Sequence, residues 1–471
     1  MKTIKTPIYD RLLDISSKNT IYFQLPGHHK RTNQFLDFNI LPSFDTTETF
    51  GTDNLHEPEE IIFESMREVS RVYGSKESIY LVNGSTSGIH IAMMSVTKPG
   101  DSVLIQRNSH VSAYNGSILG RLNVEYIMPE YDSSIQLVGG IDVHKFKELI
   151  QNNRSIKACV LLHPSFYGVC SDLCEIIDIA HKNGVIVIVD EAHGPHLSFS
   201  DRLPKSAIEL GADMVIHSAH KTLPSLTQTA VLHICSDRVN IDRVRSVSRL
   251  LQTTSPSYIF MTSIEKAVAY MDSFKGREDL DTLIGNINRF NESISKIDRI
   301  KLLGNKSESL FYDRDITKIH FEIEGIRGTD LIDILHRDYN INMEYADFRY
   351  VIGVTSVMNT EDDFKYLEDA LGEIASNNTY DETEDLDMKL IEPKQIIPIY
   401  EAFNSENKTV KLVESVGSVS ASYIIPYPPG IPQLAPGELI TDEHVEIVEK
   451  YKDKGISIVG LNKDMIDIVG V

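Results

Sequence analysis

Val185-Ile186-Val187-Ile188-Val189-Asp190-Glu191-Ala192-His193-Gly194, and after it Met214-Val215-Ile216 leading to Ser218-Ala219-His220-Lys221, decide how this chain folds. The first run is five β-branched apolar residues closed by an acid. No polar residue alternates with them, so both faces of the strand are meant to be buried, the pattern of a parallel strand inside an α/β sheet. Asp190 then stands at the strand's carboxyl end, and Lys221 follows a second, shorter strand.

Working outward, the alternation continues in both directions. The spacing predicts strands over Ile79 to Val82, Ser102 to Gln106, Ala158 to Leu162, Asp213 to Ile216 and Ala230 to Ile234. It predicts helices over Glu59 to Tyr73, Ile89 to Val96, Ala113 to Leu119 and Leu173 to Lys182, with Asn83 to Gly88 as a polar turn. Short β and longer α segments in alternation mean a mostly parallel sheet covered on both faces. Ligands of such sheets bind beyond the carboxyl ends of the strands. Asn83 to Ser87, Asp190 to His193 and Ser218 to Lys221 all fall there.

Residues 1–50 read as an N-terminal arm and 51–300 as the large α/β domain. A long helical stretch from Ile264 past Phe274 to Ile297 leaves the sheet. A smaller α+β unit, 301–375, follows, with strands at Lys318 to Ile323 and Tyr350 to Val354 and helices at Asp330 to Asp338 and Asp362 to Ala375. The polar, acidic stretch 376–388 reads as a linker. A C-terminal domain, 389–471, carries the Pro/Gly cluster Pro426-Tyr427-Pro428-Pro429-Gly430-Ile431-Pro432 and then Pro436-Gly437-Glu438.

The bulk numbers narrow the function. A chain of 471 residues is too long for one ordinary core. With 46 basic against 68 acidic residues the net charge is −22, which argues against nucleic acid as a partner; such a field can steer small cations, and the ordinary alternative is that the acidity only keeps the protein soluble. No apolar run approaches the roughly 18 residues that would cross a bilayer. The start, Met1 to Pro7, has no apolar core of a secretory signal. Cys159, Cys170, Cys174 and Cys235 make no disulfide framework and point to a reducing cytoplasm. Cys170 and Cys174 have no zinc-spaced partners, so no metal is expected and buried apolar use is expected for both.

An acid and a lysine at neighbouring strand ends suit pyridoxal phosphate. The lysine forms an imine with the aldehyde, and the acid keeps the pyridine nitrogen protonated. Each residue alone has an ordinary alternative: Lys221 as a solvated surface lysine, Asp190 as a helix N-cap. Ser85 and Thr86 lie where free N–H groups at a helix start can bind phosphate. His110, after the strand Ser102 to Gln106, is either structural or a ring stacked on a flat cofactor. His193 can contact the cofactor or support it from behind.

At these residues the chain resembles the bacterial Orn/Lys/Arg decarboxylases, pyridoxal-phosphate enzymes with the aspartate aminotransferase fold. The resemblance runs through Leu25-Pro26-Gly27-His28, Leu55-His56-Glu57-Pro58, Asn83 to Gly88, Arg107-Asn108-Ser109-His110 and His163 to Gly168. It continues through Asp190 to Gly194, Ser218 to Lys221, Thr254 to Tyr258 and the Pro/Gly cluster ending at Glu438. The short form, typified by the Bacillus-type biosynthetic arginine decarboxylase, is the more similar one. His28-His29-Lys30 and His163-Pro164-Ser165 depart from the common pattern.

The resemblance implies roles. Lys221 holds the cofactor, Asp190 pairs with its ring nitrogen and His110 stacks on the ring, these three being the catalytic set. Ser85, Thr86, Ser218 and His220 hold the phosphate, with His193 beside the cofactor. Ser255 reaches the phosphate of a neighbouring subunit, which implies at least a homodimer. Glu438 meets the basic end of the substrate. The reaction implied is decarboxylation of a basic amino acid, arginine to agmatine ahead of lysine or ornithine. An aminotransferase or other lyase keeping the same cofactor, and a non-catalytic regulatory paralogue, are the alternatives.

Overall fold

In a computed structural model of the chain, residues 7–31, 41–303, 310–377, 389–427, 430–453 and 456–470 are described. Most of the expected linker, and Pro428 and Pro429 of the Pro/Gly cluster, lie outside them.

The large sheet has seven strands: β1 (Glu77–Leu81), β2 (Ser102–Gln106), β3 (Asn123–Ile127), β4 (Ile156–Leu162), β5 (Ile186–Asp190), β6 (Met214–His217) and β7 (Ala230–Ile234). Their order across the sheet is β1-β7-β6-β5-β4-β2-β3. The run β6-β5-β4-β2-β3 is parallel throughout, and β7 alone runs antiparallel to both its neighbours. β5 lies at the centre, with Asp190 in register with Leu162 on one side and Ile216 on the other. Its alternate residues serve two cores: Val187 and Val189 enter one, Ile188 the other. This two-sided burial is why the run carries no polar alternation.

Two expectations are corrected. Asn83 to Gly88 is not a turn preceding the helix but its first turn, since the helix α1 spans Gly84–Val96. Gly84, at φ +79°, lets the chain leave β1 and enter the helix at once. The long helical stretch is two helices, Tyr258–Asp272 and Phe274–Ile294, broken at Ser273, whose side chain caps the second. The buried positions change phase at the break, from Ile264, Ala267, Val268 and Met271 to Gly276, Leu280, Leu283 and Ile287. Strand β3 and the helix Val143–Asn152 also went unpredicted.

The smaller sheet is antiparallel, with β8 (Ile300–Leu302), β9 (Lys318–Ile323), β10 (Tyr345–Ala346) and β11 (Val351–Val354) in the order β8-β9-β11-β10. The N-terminal strand Ile21–Phe23 pairs in parallel with Ile341–Met343, so the arm joins this unit. All four cysteines are free, and Cys174 is exposed on the outer face of its helix, contrary to the expected burial.

The entry to the helix Ile61–Tyr73 is held by one carboxylate. Asp53, buried, accepts hydrogen bonds from the backbone N–H groups of Asn54, Glu59, Glu60 and Ile62 at 2.8–3.2 Å. Burial pushes its pKa up, but these donors outweigh it and hold it below the ordinary carboxylate value. Asp53→Ala is expected to cost about 1–2 kcal/mol in denaturant unfolding at neutral pH, the range for a lost helix cap. Because the folded pKa is the lower one, this stability is present above the unfolded pKa and lost as pH falls through the folded one. The variant's deficit therefore shrinks in acid.

Candidate active site

The carboxyl ends of β1, β2, β5 and β6 converge on Lys221. Ser218, at the end of β6, is fully buried and donates to Ser85 Oγ at 2.8 Å, tying the Lys221 turn to the first turn of α1. Thr86 beside it is exposed. These hydroxyls, with the unpaired N–H groups that open a 13-residue helix, form an anion cradle. His220 is held on one side by a hydrogen bond between Nδ1 and Thr229 O, 2.9 Å, which leaves Nε2 for another partner.

Lys221 Nζ lies 2.9 Å from His193 Nε2. Burial lowers the Lys221 pKa and the charge of Lys318 adds to this, while Asp190 and Glu344 oppose it. Burial and the surrounding cations push His193 well below its ordinary value, so its ring is neutral. Asp190 accepts from Ala192 N at 3.1 Å through Oδ1. His110 is exposed, and Ser112 holds its Nδ1 at 2.9 Å to the hydroxyl. Asp190 and Lys221 are both close enough for their charges to act on His110.

Glu191 points the other way. It is fully buried and accepts from Ser206 Oγ and Ala207 N, with His217 Nε2 2.7 Å away. His217 continues to His233 at 3.1 Å, and His233 to Ser78 at 2.9 Å. This row braces the strand ends that carry Asp190 and Lys221.

Two charged residues near Lys221 escaped the sequence reading. Glu344, between Met343 and β10, is half-buried and accepts from Leu25 N at 2.7 Å. Burial raises its pKa, against the pull of Leu25 N–H and the charges of Lys221 and Lys318. Lys318 opens β9 and is fully buried. Neither has a local sequence signal, since each is one charge among several around its strand: Arg314, Asp315 and Glu322 near Lys318, and Asp347 and Arg349 near Glu344. The arm closes over the same place: Gly27 N donates to His220 O, and a Cβ on Gly27 would meet Lys221 O at 2.9 Å.

Glu438 is where expectation and geometry part. Its carboxylate is fully buried and bound by Arg107, with Nη1 to Oε1 at 2.5 Å and Nη2 to Oε2 at 3.0 Å. Oε2 also accepts from Ala435 N. A carboxylate so engaged is not open to a substrate cation. Arg107 further donates to Gln433 O and lies over the Tyr126 ring at 4.7 Å. The pair fastens the C-terminal region to the end of β2. Ser255 is exposed and hydrogen-bonds to Thr253 Oγ1.

A lysine and an acid at adjacent ends of a parallel sheet, beside a hydroxyl-lined helix start, fit pyridoxal phosphate: an aldehyde partner, a ring-nitrogen partner and a phosphate cradle. The fold and site define a pyridoxal-phosphate-dependent enzyme of the aspartate aminotransferase type. The chain belongs to the Orn/Lys/Arg decarboxylase family. The family's major-domain model matches residues 6–353 and its C-terminal-domain model residues 378–452. The chain is 34% identical over 457 residues to the uncharacterized protein YaaO of Bacillus subtilis, covering 94% of this chain and 93% of that one. It is 29% identical over 486 residues to an arginine decarboxylase of the same organism, covering 100% and 98%. Among solved structures, the lysine decarboxylase LdcF of Francisella novicida superposes with a TM-score of 0.80 at 20% identity, covering 100% of this chain and 79% of that one. The chain is thus a pyridoxal-phosphate-dependent amino-acid decarboxylase, which sets aside the aminotransferase and non-catalytic alternatives. No described helix is long and apolar enough to cross a membrane.

Proposed function

We propose that this decarboxylase acts on a basic amino acid, arginine foremost, and releases carbon dioxide and the corresponding amine, here agmatine. One observation carries the reading: a half-buried carboxylate, Glu344, is held by Leu25 N at 2.7 Å where the arm at Gly27 packs against Lys221 O. A cationic side chain reaching Glu344 would offset the cost of burying that charge. A neutral or acidic one would leave the carboxylate unpaired. The preference for arginine rests on the similarity to arginine decarboxylases along the whole chain.

In this reading Ser85, Thr86, Ser218 and His220 hold the cofactor's phosphate with the N–H groups that open α1. Asp190 keeps the proton on the ring nitrogen. His110 offers an exposed ring for stacking. Bound pyridoxal phosphate supplies an electron sink for the pair left when the bond from the α-carbon to the carboxylate breaks. Lys221 would hold the cofactor through its side-chain nitrogen, which is free to carry a proton once substrate is bound. Its nitrogen then holds a proton at the site, with neutral His193 as the adjacent acceptor. The reaction consumes one proton per carbon dioxide released, and Lys221 is the group placed to return it to the α-carbon. Ser255, exposed on the rim, serves the site of a second copy in a homodimer.

The test is a competition among arginine, lysine and ornithine, with the amine identified by mass. Release of carbon dioxide from none of the three would overturn the reading. Glu344→Gln is expected to raise KM for the basic substrate by about tenfold, since a hydrogen bond to a charged group is worth about 1.5–3 kcal/mol. In the wild type, binding should weaken as pH falls through the Glu344 pKa, which stands above the ordinary glutamate value. The E344Q variant should lose that acid limb.

A further inference from the structure

The smaller unit holds a cavity of about 170 Å³ whose lining comes from the helix Phe274–Ile294, from β8 and β9, and from the chain that leads into β9. Its polar lining is Arg314, His320, Asn288 and Asn291, while Leu302 and Ile316 form an apolar wall. No carboxylate lines it among the described residues, although the chain as a whole carries a net charge of −22. Arg314 donates through Nη1 to Leu303 O at 2.8 Å and through Nη2 to Lys318 O at 3.3 Å, and its buried Nε has no partner. Burial lowers its pKa to about 10, which leaves the guanidinium charged at neutral pH. His320 is 2% exposed, and its ring lies parallel to that of Tyr167 with centres 6.3 Å apart. Its Nδ1 is 3.0 Å from Arg314 Nη2 and 2.9 Å from Lys318 O, and its Nε2 has no partner. The amides of Asn288 and Asn291 stand three residues apart on the helix, the first exposed and the second half-buried.

We propose that this cavity binds a small oxyanion of one negative charge, a carboxylate or bicarbonate, received by Arg314 Nε–H and His320 Nε2–H with the amides of Asn288 and Asn291 at the rim. The inference goes beyond the function proposed above and does not rest on it. A guanidinium only donates, so its 3.0 Å contact asks His320 Nδ1 to accept. A hydrogen on Nδ1 could instead reach Lys318 O, but it would face a cationic N–H. Lys318 O already receives Arg314 Nη2, so it does not need the ring's hydrogen. The neutral imidazole therefore carries its hydrogen on Nε2, and two unmet donors belong to adjacent side chains of one cavity. A buried cation without a counter-charge is costly, and one negative charge beside Arg314 offsets that cost. Size narrows the ligand further. One water takes about 30 Å³ in the liquid, so a cavity of about 170 Å³ has room for several heavy atoms, more than a single halide fills. The wall of Leu302 and Ile316 suits the carbon end of a short carboxylate.

The test is calorimetric titration of the full-length, cofactor-loaded protein with sodium formate, acetate, bicarbonate and chloride, all at one ionic strength. Loading the cofactor keeps these anions off the cradle at the start of α1. One saturable site is expected for the oxyanions, with chloride weaker than the best of them. Tighter formate or acetate identifies an organic acid as the ligand, and tighter bicarbonate identifies the inorganic one. Arg314→Lys keeps the charge and loses Nε–H, and is expected to raise Kd by about tenfold, the effect of one hydrogen bond to a charged group. His320→Phe keeps a ring beside Tyr167, removes Nε2–H and should weaken binding to a similar degree. Because both residues are buried, the unfolding midpoint of each variant is measured without anion. Should either midpoint fall, the rim variant N288L/N291L decides, since it alters only the two rim amides of the helix and should also raise Kd. An unchanged Kd in all three variants would put the anion elsewhere and overturn the proposal. So would the absence of saturable binding, which marks a cavity filled by water, or chloride binding as tightly as every oxyanion.

Discussion

Lys221→Ala should abolish carbon dioxide release and the visible absorbance of the cofactor together while leaving the fold intact. Among the described residues the side chain makes one hydrogen bond, to His193, so its removal breaks no buried ion pair. Its loss removes both the amine that holds the cofactor and the group placed to return a proton to the α-carbon. Removing a positioned proton-transfer group alone costs up to about 10⁴-fold, and a drop on the order of 10⁴-fold or more is expected here. Carbon dioxide evolution at saturating substrate and the absorbance spectrum of the same sample check it. Retention of the visible band in K221A would transfer the cofactor link to another lysine, and Lys318 would be the first to examine.

The second large effect is expected far along the chain. Glu438→Ala leaves Arg107 fully buried with its charge uncompensated, and breaking a buried ion pair in this way costs about 3–5 kcal/mol. The loss should appear as weakened docking of the C-terminal region, seen as faster limited proteolysis after residue 389 and a lower unfolding midpoint. Turnover should fall only in proportion to the folded fraction. Arg107→Met with Glu438→Gln, which removes both charges, should be milder than E438A alone. A wild-type unfolding midpoint with a raised KM for one basic amino acid would return Glu438 to the substrate-recognising role that its place in the motif had implied.

The difference between Lys221 and Glu438 shows what can be read along a chain. Asp190 and Lys221 end apolar strands, and a parallel sheet must present its strand ends on one rim. Their proximity therefore followed from pattern alone. The strands Ser102–Gln106, Ala230–Ile234 and Lys318–Ile323 and the helix Leu173–Lys182 were legible to the residue, because each has one unambiguous period. The break at Ser273 was hidden because both flanking segments are helical, and Ser273 is a single extended residue between them. Strand β3 is half-buried at the sheet edge, and its mixed residues resemble a loop.

By itself, the sequence determined the class of sheet, which follows from periodicity, and, through the family resemblance that its motifs carry, the cofactor. Only the tertiary structure decided which carboxylate is spoken for and which is open. Glu438 meets Arg107 across 331 positions of chain, and Glu344 and Lys318 come to Lys221 from a different sheet. A side chain's charge is set by what surrounds it in space, and neither its own neighbours in sequence nor its place in a motif records those contacts.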